Sequence, residues 1–347
     1  MHDELTLDRP AIQSAARRLE AGELVAFPTE TVYGLGADAE NPAAIAKIYA
    51  AKGRPSNHPV IVHLAPEADI TYWADAIPPE ARKLIAAFWP GPLTLILQRA
   101  KHIPDCVSGG QDSIGLRCPS HPVAQALLRE FKAGKGGIAG PSANKFGHVS
   151  PTTAQHVRDE FGSEPGNPVD CILDGGQSQV GIESTILDLT RMATHGPVLL
   201  RPGHISADCI ADVIGILPRT PDDAAPRASG TLESHYAPST PVALVEADQL
   251  ADIFHLLATA GRRIAVMSRG TPHLNGAVAQ LGLPESPDGY AHDLFASLRT
   301  LDTAGADIIL VESPPGGNEW QGVNDRLRRA AHDSTEVVSR LVKPDLK

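Results

Sequence analysis

Apolar residues along this chain follow two patterns that alternate with each other. In the first pattern they recur at helical spacing, as Ile45, Ile48 and Tyr49 do. In the second they form short continuous runs, such as 137–140, which are typical of buried strands. Because helical and strand segments follow one another in turn, the pattern predicts an α/β fold.

The first two hundred residues hold most of the predicted elements. Asp8 is a predicted N-cap of the first helix, and Ser150 with Pro151 is predicted to begin the last helix of this region. That first helix is predicted at 9–21, and further helices are predicted at 42–52, 79–88 and 122–131. The strands are predicted at 23–27, 60–64, 93–97, 113–117, 137–140, 171–173, 185–189 and 198–200.

Residues 217–241 differ in composition from the segments on either side. Prolines recur there among Asp, Ala, Ser and Gly, which is typical of a linker. Beyond this stretch, strands are predicted at 242–245, 263–267 and 307–312, and helices at 249–258, 290–301 and 321–332. We therefore predict a first domain over 1–208, a proline-rich linker over 209–240 and a smaller α/β domain over 241–347.

Composition narrows the class of protein. The net charge of −11 argues against a general nucleic-acid coat or a polybasic membrane anchor. The four cysteines show no CxxC spacing, which argues against a zinc site. The chain shows no signal-peptide pattern and no apolar run of membrane-spanning length. We therefore expect a cytoplasmic protein that makes no contact with a membrane.

Polar residues follow several of the predicted strands and helices. Thr29 to Thr31 come directly after the strand that ends at Phe27, where α/β sheets usually bind ligands. Lys52 and Arg54 lie at a helix C-terminus, and two prolines fix the backbone that follows. These cations suit phosphate recognition, but they are equally well explained as partners of the helix dipole.

Further polar residues have both a structural and a functional interpretation. His63 and Arg117 stand at strand ends, where a histidine is more often structural and an arginine is usually solvated. Ser142 and Asn144 follow a buried strand and could form a simple turn, or they could hold a polar ligand. Phosphate loops of the GxxxxGK[ST] type and GxSxG nucleophile elbows do not occur. The pattern therefore favours positioning and charge stabilisation of an anionic substrate over covalent catalysis.

Seven sequence blocks occur in an order that resembles a known family. The blocks are FPTETVYGLGADA, KGRPSNHPVIVH, PGPLTLIL, SIGLRCPSHP, GPSAN, GIESTILDL and LLRPG. Together they resemble the YrdC-type threonylcarbamoyl-AMP synthases over residues 10–205. The later segments SHYAP and ADIILVE resemble the two-domain form of that family.

The resemblance implies a fold and a reaction. The expected fold is an N-terminal twisted open sheet with flanking helices and a large cavity, followed by a smaller Rossmann-like α/β domain. The expected reaction joins L-threonine, bicarbonate and ATP into L-threonylcarbamoyladenylate, with release of pyrophosphate and with Mg²⁺ accompanying ATP. A separate tRNA threonylcarbamoyl transferase complex is expected to receive the product, and direct contact with tRNA is left open.

The resemblance also implies roles for particular residues. Lys52 and Arg54 are expected to be catalytic. The residues expected to hold threonine are Thr31, His63, Arg117, Gly140 and Ser184. The residues expected to hold ATP are Arg54, His58, Ser113, Ser142, Asn144, Ser150, Arg201 and Tyr236.

Two alternative functions and one question about the linker remain open from the sequence. The chain could be an RNA-binding module without catalysis, although its acidic charge and few aromatic residues disfavour broad RNA stacking. It could also be a carbamoyl-transfer enzyme of related fold. Finally, the proline-rich linker could gate the cavity, with the second domain as its anchor, or it could be a passive spacer.

Overall fold

The computed structural model describes residues 7–162, 164, 166–230, 236–270, 274–332 and 334–342. The chain divides into two compact units. The first consists of Met1–Phe146 and Ser150–Thr231, and the second of Gly147–Val149 and Leu232–Lys347. The stretch 209–230, which the sequence assigns to the linker, packs with the first unit.

The first unit alternates helices and strands, as the hydrophobic pattern predicts. Its helices are α1 (Arg9–Glu20), α2 (Pro42–Lys52), α3 (Pro79–Phe88), α4 (Pro122–Glu130), α5 (Ala154–Phe161), α6 (Met192–His195) and α7 (Ala207–Ile214). Its strands are β1 (Val25–Phe27), β2 (Gly34–Asp38), β3 (Ile61–Leu64), β4 (Ala74–Ala76), β5 (Leu93–Arg99), β6 (Ser113–Arg117), β7 (Gly137–Ala139), β8 (Thr185–Asp188) and β9 (Val198–Arg201).

Across the described residues of this unit, the strands form one mixed sheet. Their order is β1-β2-β7-β3-β6-β5-β8-β9, and β4 pairs with β5 at one side. The β3–β6 and β5–β8 pairs are parallel, whereas the other named pairs are antiparallel. The predicted α/β class is therefore confirmed, with a mixed sheet in the first unit.

Some helix starts can be traced to a capping side chain, whereas α3, for example, begins after Pro78 without a side-chain cap. The Asp8 carboxylate accepts a hydrogen bond from the Ala11 backbone at 3.0 Å, which confirms the predicted cap of α1. The predicted cap at Ser150 is wrong, because α5 begins at Ala154 and Thr153 caps it. The Ser150 hydroxyl donates instead to the Glu183 carboxylate.

The two faces of the first sheet are covered differently. Alternation along β1 sends Val25 and Phe27 to the face covered by α1 and α4, while Ala26 faces the larger core with α2, α3, α5 and α7. A third apolar group contains Ile61, Ile96, Ile186, Val198, Leu200 and Ala228. Ala228 belongs to residues 221–230, which form neither helix nor strand. This irregular segment, rather than a helix, therefore covers that part of the sheet face.

The second unit is built on a smaller sheet. Its strands are β10 (Val242–Val245), β11 (Ile264–Arg269), β12 (Ala279–Leu283) and β13 (Ile308–Glu312). They pair in the order β10-β13-β11-β12, and all three pairings are parallel. Its helices are α8 (Leu250–Thr259), α9 (Pro287–Asp302), α10 (Gln321–Ala330) and α11 (Ser334–Val342). This parallel sheet with helices confirms the predicted Rossmann-like class.

Three observed strands and one predicted strand differ from the sequence pattern. The strand β4 was not predicted, because its three residues, Ala-Asp-Ala, are too few to show an apolar run. β2 and β12 were not predicted, because glycines interrupt both strands and hide their apolar character. The strand predicted at 171–173 is reduced to a single bridge between Ile172 and Ala26. In the described part of the chain, no helix is long and apolar enough to cross a membrane.

Candidate active site

Strand register places His63 and Arg117 side by side. The two residues are direct partners in the parallel β3–β6 pair, so their side chains emerge on the same sheet face. Ile61 and Gly115 are the preceding partners on this face, and Ile61 belongs to the apolar group that Ala228 covers. The predicted site residues of β3 and β6 therefore share the face on which the irregular segment lies.

Arg117 is held by a carboxylate that the sequence analysis did not single out. Its Nη2 donates to Glu30 Oε1 at 2.7 Å, and both side chains are buried, at 4% and 6% exposure. Its Nε donates to the Gly91 carbonyl at 3.3 Å. The other oxygen of Glu30 accepts the Ser120 backbone N–H at 3.0 Å. A glutamate between two threonines looks like part of a polar turn, so only the fold identifies this partner.

His63 is a buried imidazole with an available nitrogen. Its Nδ1 has no hydrogen-bond partner in the part of the chain that the structure describes. Burial, together with the nearby charge of Arg117, lowers the pKa of His63 to about 3, so the ring is neutral at physiological pH. A Cβ at Gly140 would lie 2.9 Å from Nδ1, so a side chain at that position would cover this nitrogen.

Ser184 lies where β8 begins, between β5 and β9. Its hydroxyl lies 2.8 Å from that of Thr94, and Arg201 Nη2 donates to the Ser184 carbonyl at 2.9 Å and hydroxyl at 3.2 Å. All three side chains are buried. The parallel β5–β8 register, in which Thr94 pairs with Ile186, brings them onto the same face.

Lys52 is buried and bonded to the loop that follows β7. Its Nζ donates to the carbonyl of Ser142 at 2.6 Å and to the carbonyl of Asn144. Burial, with a further contribution from Arg54, lowers the pKa of Lys52 well below its usual value. The predicted residues Lys52, Ser142 and Asn144 are therefore brought together, and the ammonium group fixes the path of this loop.

Arg54 and Arg201 both contact the irregular segment of the first unit. Arg54 Nη2 donates to the Pro59 carbonyl at 2.7 Å and to the Ser229 hydroxyl at 3.4 Å. Arg201 Nη1 donates to the Ser229 carbonyl at 2.9 Å. Two of the predicted anion-binding residues are thus linked through one residue of the proline-rich stretch.

The structure shows mostly local contacts for the remaining predicted residues of the first unit. The Thr31 hydroxyl lies 2.8 Å from that of Thr29. His58 is half-buried, and burial together with the charges of Arg54 and Arg227 lowers its pKa. The buried Ser113 lies beside Ser229 at a narrow gap under the segment.

Tyr236 is the one predicted site residue that belongs to the second unit. It is buried there, with its ring centroid 5.6 Å from that of Phe295 and the Arg326 guanidinium 5.3 Å over the ring. Its φ of 62° lies in the left-handed region, which is uncommon for a non-glycine residue.

The site combines three buried arginines with neutral hydrogen-bonding groups. Arg54, Arg117 and Arg201 supply positive charge, while the imidazole and the hydroxyls supply donors and acceptors for a polar ligand. Within the described residues, no group of three His, Cys, Asp or Glu side chains could hold a metal ion. Fold and site together define a two-unit α/β protein whose first unit carries buried arginines beside neutral hydrogen-bonding groups.

Comparison with known families makes this class specific. The family model described as Telomere recombination (Sua5_yciO_yrdC) matches residues 17–203, and the one described as threonylcarbamoyl-AMP synthase, C-terminal domain, matches residues 205–332. The chain belongs to the Sua5/YciO/YrdC family, in the form that carries this C-terminal domain.

Individual relatives match over nearly their whole length. The threonylcarbamoyl-AMP synthase of Pyrococcus abyssi is 38% identical, with 92% of this chain and 94% of the relative covered. That of Bacillus subtilis is 37% identical, with 95% of each covered. The crystal structure of P. abyssi Sua5 complexed with L-threonine superposes with a TM-score of 0.86 at 36% identity, covering 95% of this chain and 96% of that one.

Proposed function

We propose that this chain is an L-threonylcarbamoyladenylate synthase. It would form threonylcarbamoyl-AMP and pyrophosphate from L-threonine, bicarbonate and ATP, which makes it a nucleotidyltransferase acting in tRNA modification. The observation that carries the proposal is the shared sheet face on which Arg117 and His63 are direct register partners. Threonylcarbamoyl-AMP synthases match the chain from end to end, and one of them has been crystallised with threonine.

The amino acid would be recognised by the groups around Arg117. Its guanidinium suits the threonine carboxylate, because arginine pairs with carboxylates through charge-assisted hydrogen bonds. The unpartnered Nδ1 of His63 suits an N–H of the substrate, since a neutral imidazole nitrogen can accept a hydrogen bond. Thr31 and Ser184 would bond the substrate hydroxyl, and Gly140 would leave room for it.

The nucleotide would be held by the remaining predicted residues. We assign Arg54 and Arg201 to phosphate oxygens, and His58, Ser113, Ser142, Asn144 and Ser150 to the rest of the nucleotide. Lys52 would act by fixing the loop of Ser142 and Asn144 and by adding charge beneath it. The role of Tyr236 toward the nucleotide stays a prediction.

Mg²⁺ would enter the site bound to ATP rather than occupy a site made only of protein ligands. Mg²⁺ in such sites is usually held by one or two carboxylates together with phosphate oxygens and water. Among the acidic residues near the predicted nucleotide groups, Glu183 fits this role, because its carboxylate bonds the Ser150 hydroxyl. When bound, the ion would neutralise charge on the leaving pyrophosphate.

The reaction needs little covalent participation by the protein. The threonine amine would add to bicarbonate with loss of water, and the resulting carbamate oxygen would attack the α-phosphorus. The bond between the α-phosphorus and the bridging oxygen would break, and pyrophosphate would leave. The protein would align the two substrates and stabilise the negative charge of the transition state.

The proline-rich stretch would act as a gate of this site. In support, Ser229 contacts both Arg54 and Arg201, and Ala228 packs on the same sheet face. Entry of ATP would require this segment to move away from the two arginines. The product would then pass to a cytoplasmic tRNA threonylcarbamoyl transferase complex.

Substrate omission tests the proposal directly. Pyrophosphate release from ATP is expected to require both L-threonine and bicarbonate, and to stop when either is withheld. Valine should replace threonine very poorly, because a site built to bond a hydroxyl can reject the analogue by roughly ten-thousandfold. Release of pyrophosphate that is independent of threonine would contradict the proposal, as would equal use of valine.

A further inference from the structure

The ion pair between Glu30 and Arg117 is unusual because its arginine is the one proposed to receive a substrate carboxylate. Glu30 Oε1 lies 2.7 Å from Arg117 Nη2, and both side chains are buried. A buried carboxylate this close offsets most of the positive charge that the guanidinium presents. The amino-acid half of the site thus contains an arginine that already has its own anion.

The backbone holds Glu30 firmly in this position. Its second carboxylate oxygen accepts the Ser120 N–H at 3.0 Å, and its own carbonyl accepts the Val180 N–H at 2.7 Å. Arg117 is fixed at its Nε by the Gly91 carbonyl. Neither charged group can therefore turn away without breaking buried hydrogen bonds, which is costly.

Glu30 also lines an open groove. The groove has a volume of about 480 Å³, and its walls include Glu30, Ser120, His121, Gln179 and His204. Arg117 is not part of these walls. Of the two charged partners, Glu30 is therefore the one that this groove reaches.

We propose that Glu30 is a specificity-determining residue that keeps Arg117 available to a monoanionic carboxylate and rejects phosphate groups. This inference rests on the proposed function, in which an amino acid and a triphosphate occupy neighbouring parts of one cavity. Coulomb attraction and repulsion scale with ligand charge, so a nearby carboxylate penalises pyrophosphate or ATP far more than it penalises threonine. Without Glu30, the amino-acid position would become a second phosphate site.

Glu30→Gln tests this idea, because glutamine has the same shape and keeps an oxygen for the Ser120 N–H. Formation of the threonylcarbamoyl product is followed by chromatography while pyrophosphate and threonine are both varied. In the variant, pyrophosphate inhibition is expected to tighten by about tenfold or more and to become competitive with threonine. In the wild type, pyrophosphate is expected not to compete with threonine.

Two further variants separate charge from packing. Glu30→Asp keeps the charge but moves it away from Arg117, so its inhibition constant for pyrophosphate should fall between those of the wild type and the glutamine variant. Glu67→Gln removes an exposed glutamate that pairs with Arg129 at 2.8 Å, and it should leave pyrophosphate inhibition unchanged. In the double variant Glu30→Gln with Arg117→Gln, competition by pyrophosphate should disappear.

Each outcome decides the proposal. Unchanged pyrophosphate inhibition in Glu30→Gln overturns it, and so does tighter inhibition that persists in the double variant. If Glu30→Gln yields no folded protein, wild-type inhibition in the aspartate variant overturns it. If the wild type forms no product, the proposed function fails, and calorimetric titration of each protein with pyrophosphate and with threonine still decides the role of Glu30.

Discussion

At the scale of single residues, burial decides which charges can act. Arg54 is 7% exposed, and its Nη2 donates to the Pro59 carbonyl and to the Ser229 hydroxyl, so the proline-rich stretch lies against the guanidinium that is proposed to meet phosphate. Removing one donor to a transition state commonly lowers the rate by about a hundredfold or more. We expect Arg54→Ala to lower kcat by that order while the protein remains folded.

The matched control for Arg54 is an exposed arginine of the same unit. Arg129 pairs with Glu67, and both side chains are largely exposed, so Arg129→Ala should change stability by less than about 1 kcal/mol and leave kcat unaltered. Steady-state kinetics and thermal melts of the two variants provide the comparison. An Arg54→Ala enzyme with wild-type kcat would exclude the role in catalysis.

His63 should make the stability of the protein depend on pH. Its pKa is about 3 in the folded protein and near 6.5 when unfolded, so the unfolded state takes up the proton first as pH falls. The stabilisation is therefore complete above about pH 6.5 and is lost between that pH and about 3, at up to about 1.4 kcal/mol per pH unit. The unfolding free energy falls as pH falls, because the pKa of this basic group is lower in the folded protein than in the unfolded one.

Replacing His63 isolates this contribution from those of other histidines, including His58 and His121, whose pKa values burial also lowers. We expect the unfolding free energy of His63→Gln to fall less steeply between pH 6.5 and 4 than that of the wild type. Urea unfolding at a series of pH values measures the two slopes. Parallel slopes would show that the imidazole is not held neutral.

At the scale of elements, the decisive feature is the segment that covers the sheet. Ala228 packs with Ile61, Ile96 and Ile186, while Ala224 is exposed on the same stretch. A carboxylate at 228 would be pressed among apolar side chains at a desolvation cost, which favours release of the segment. We expect Ala228→Asp to increase proteolytic cleavage within 217–230 and to change the KM for ATP.

Ala224→Asp is the control, because it adds the same charge where the chain is already exposed. Limited proteolysis and kinetics of both variants distinguish a gate from a passive spacer. Equal KM values for ATP in Ala228→Asp and Ala224→Asp, despite faster cleavage of the former, would favour the spacer.

At the scale of the whole molecule, each unit has a core of its own. The first is centred on residues of its mixed sheet, and the second on residues such as Val266, Leu310 and Phe254. Ligand that binds only the folded first unit stabilises that unit by about 2.7 kcal/mol at a concentration of a hundred times its Kd. Calorimetry should therefore resolve two unfolding transitions. Threonine and ATP should raise the midpoint temperature of the transition that belongs to the first unit.

A variant in the core of the second unit identifies the calorimetric transition that belongs to that unit. Val266→Ala removes two buried methyl groups from the core of the second unit. It should lower the midpoint temperature of only that transition which threonine and ATP do not shift. A single transition, or ligand that raises both equally, would show that the two units unfold as one cooperative body.

The amino-acid sequence by itself determined the alternation of helices and strands, most element positions and the residue types of the site. These follow from local physics, because helical spacing, proline and capping residues act within a few positions of the chain. The Asp8 cap is such a case. Ser150 shows the limit, since an equally good local signal lost to a buried partner, Glu183, 33 positions away.

Only the tertiary structure decided which polar groups meet. The pairing of His63 with Arg117 depends on the β3–β6 register, and the partnership of Arg117 with Glu30 joins residues 87 positions apart. Short-range patterns carry no information about such separations, because the contact energy arises only after the strands have paired and water has been excluded. The charge state of His63 and the covering of the sheet by Ala228 are settled at this level too.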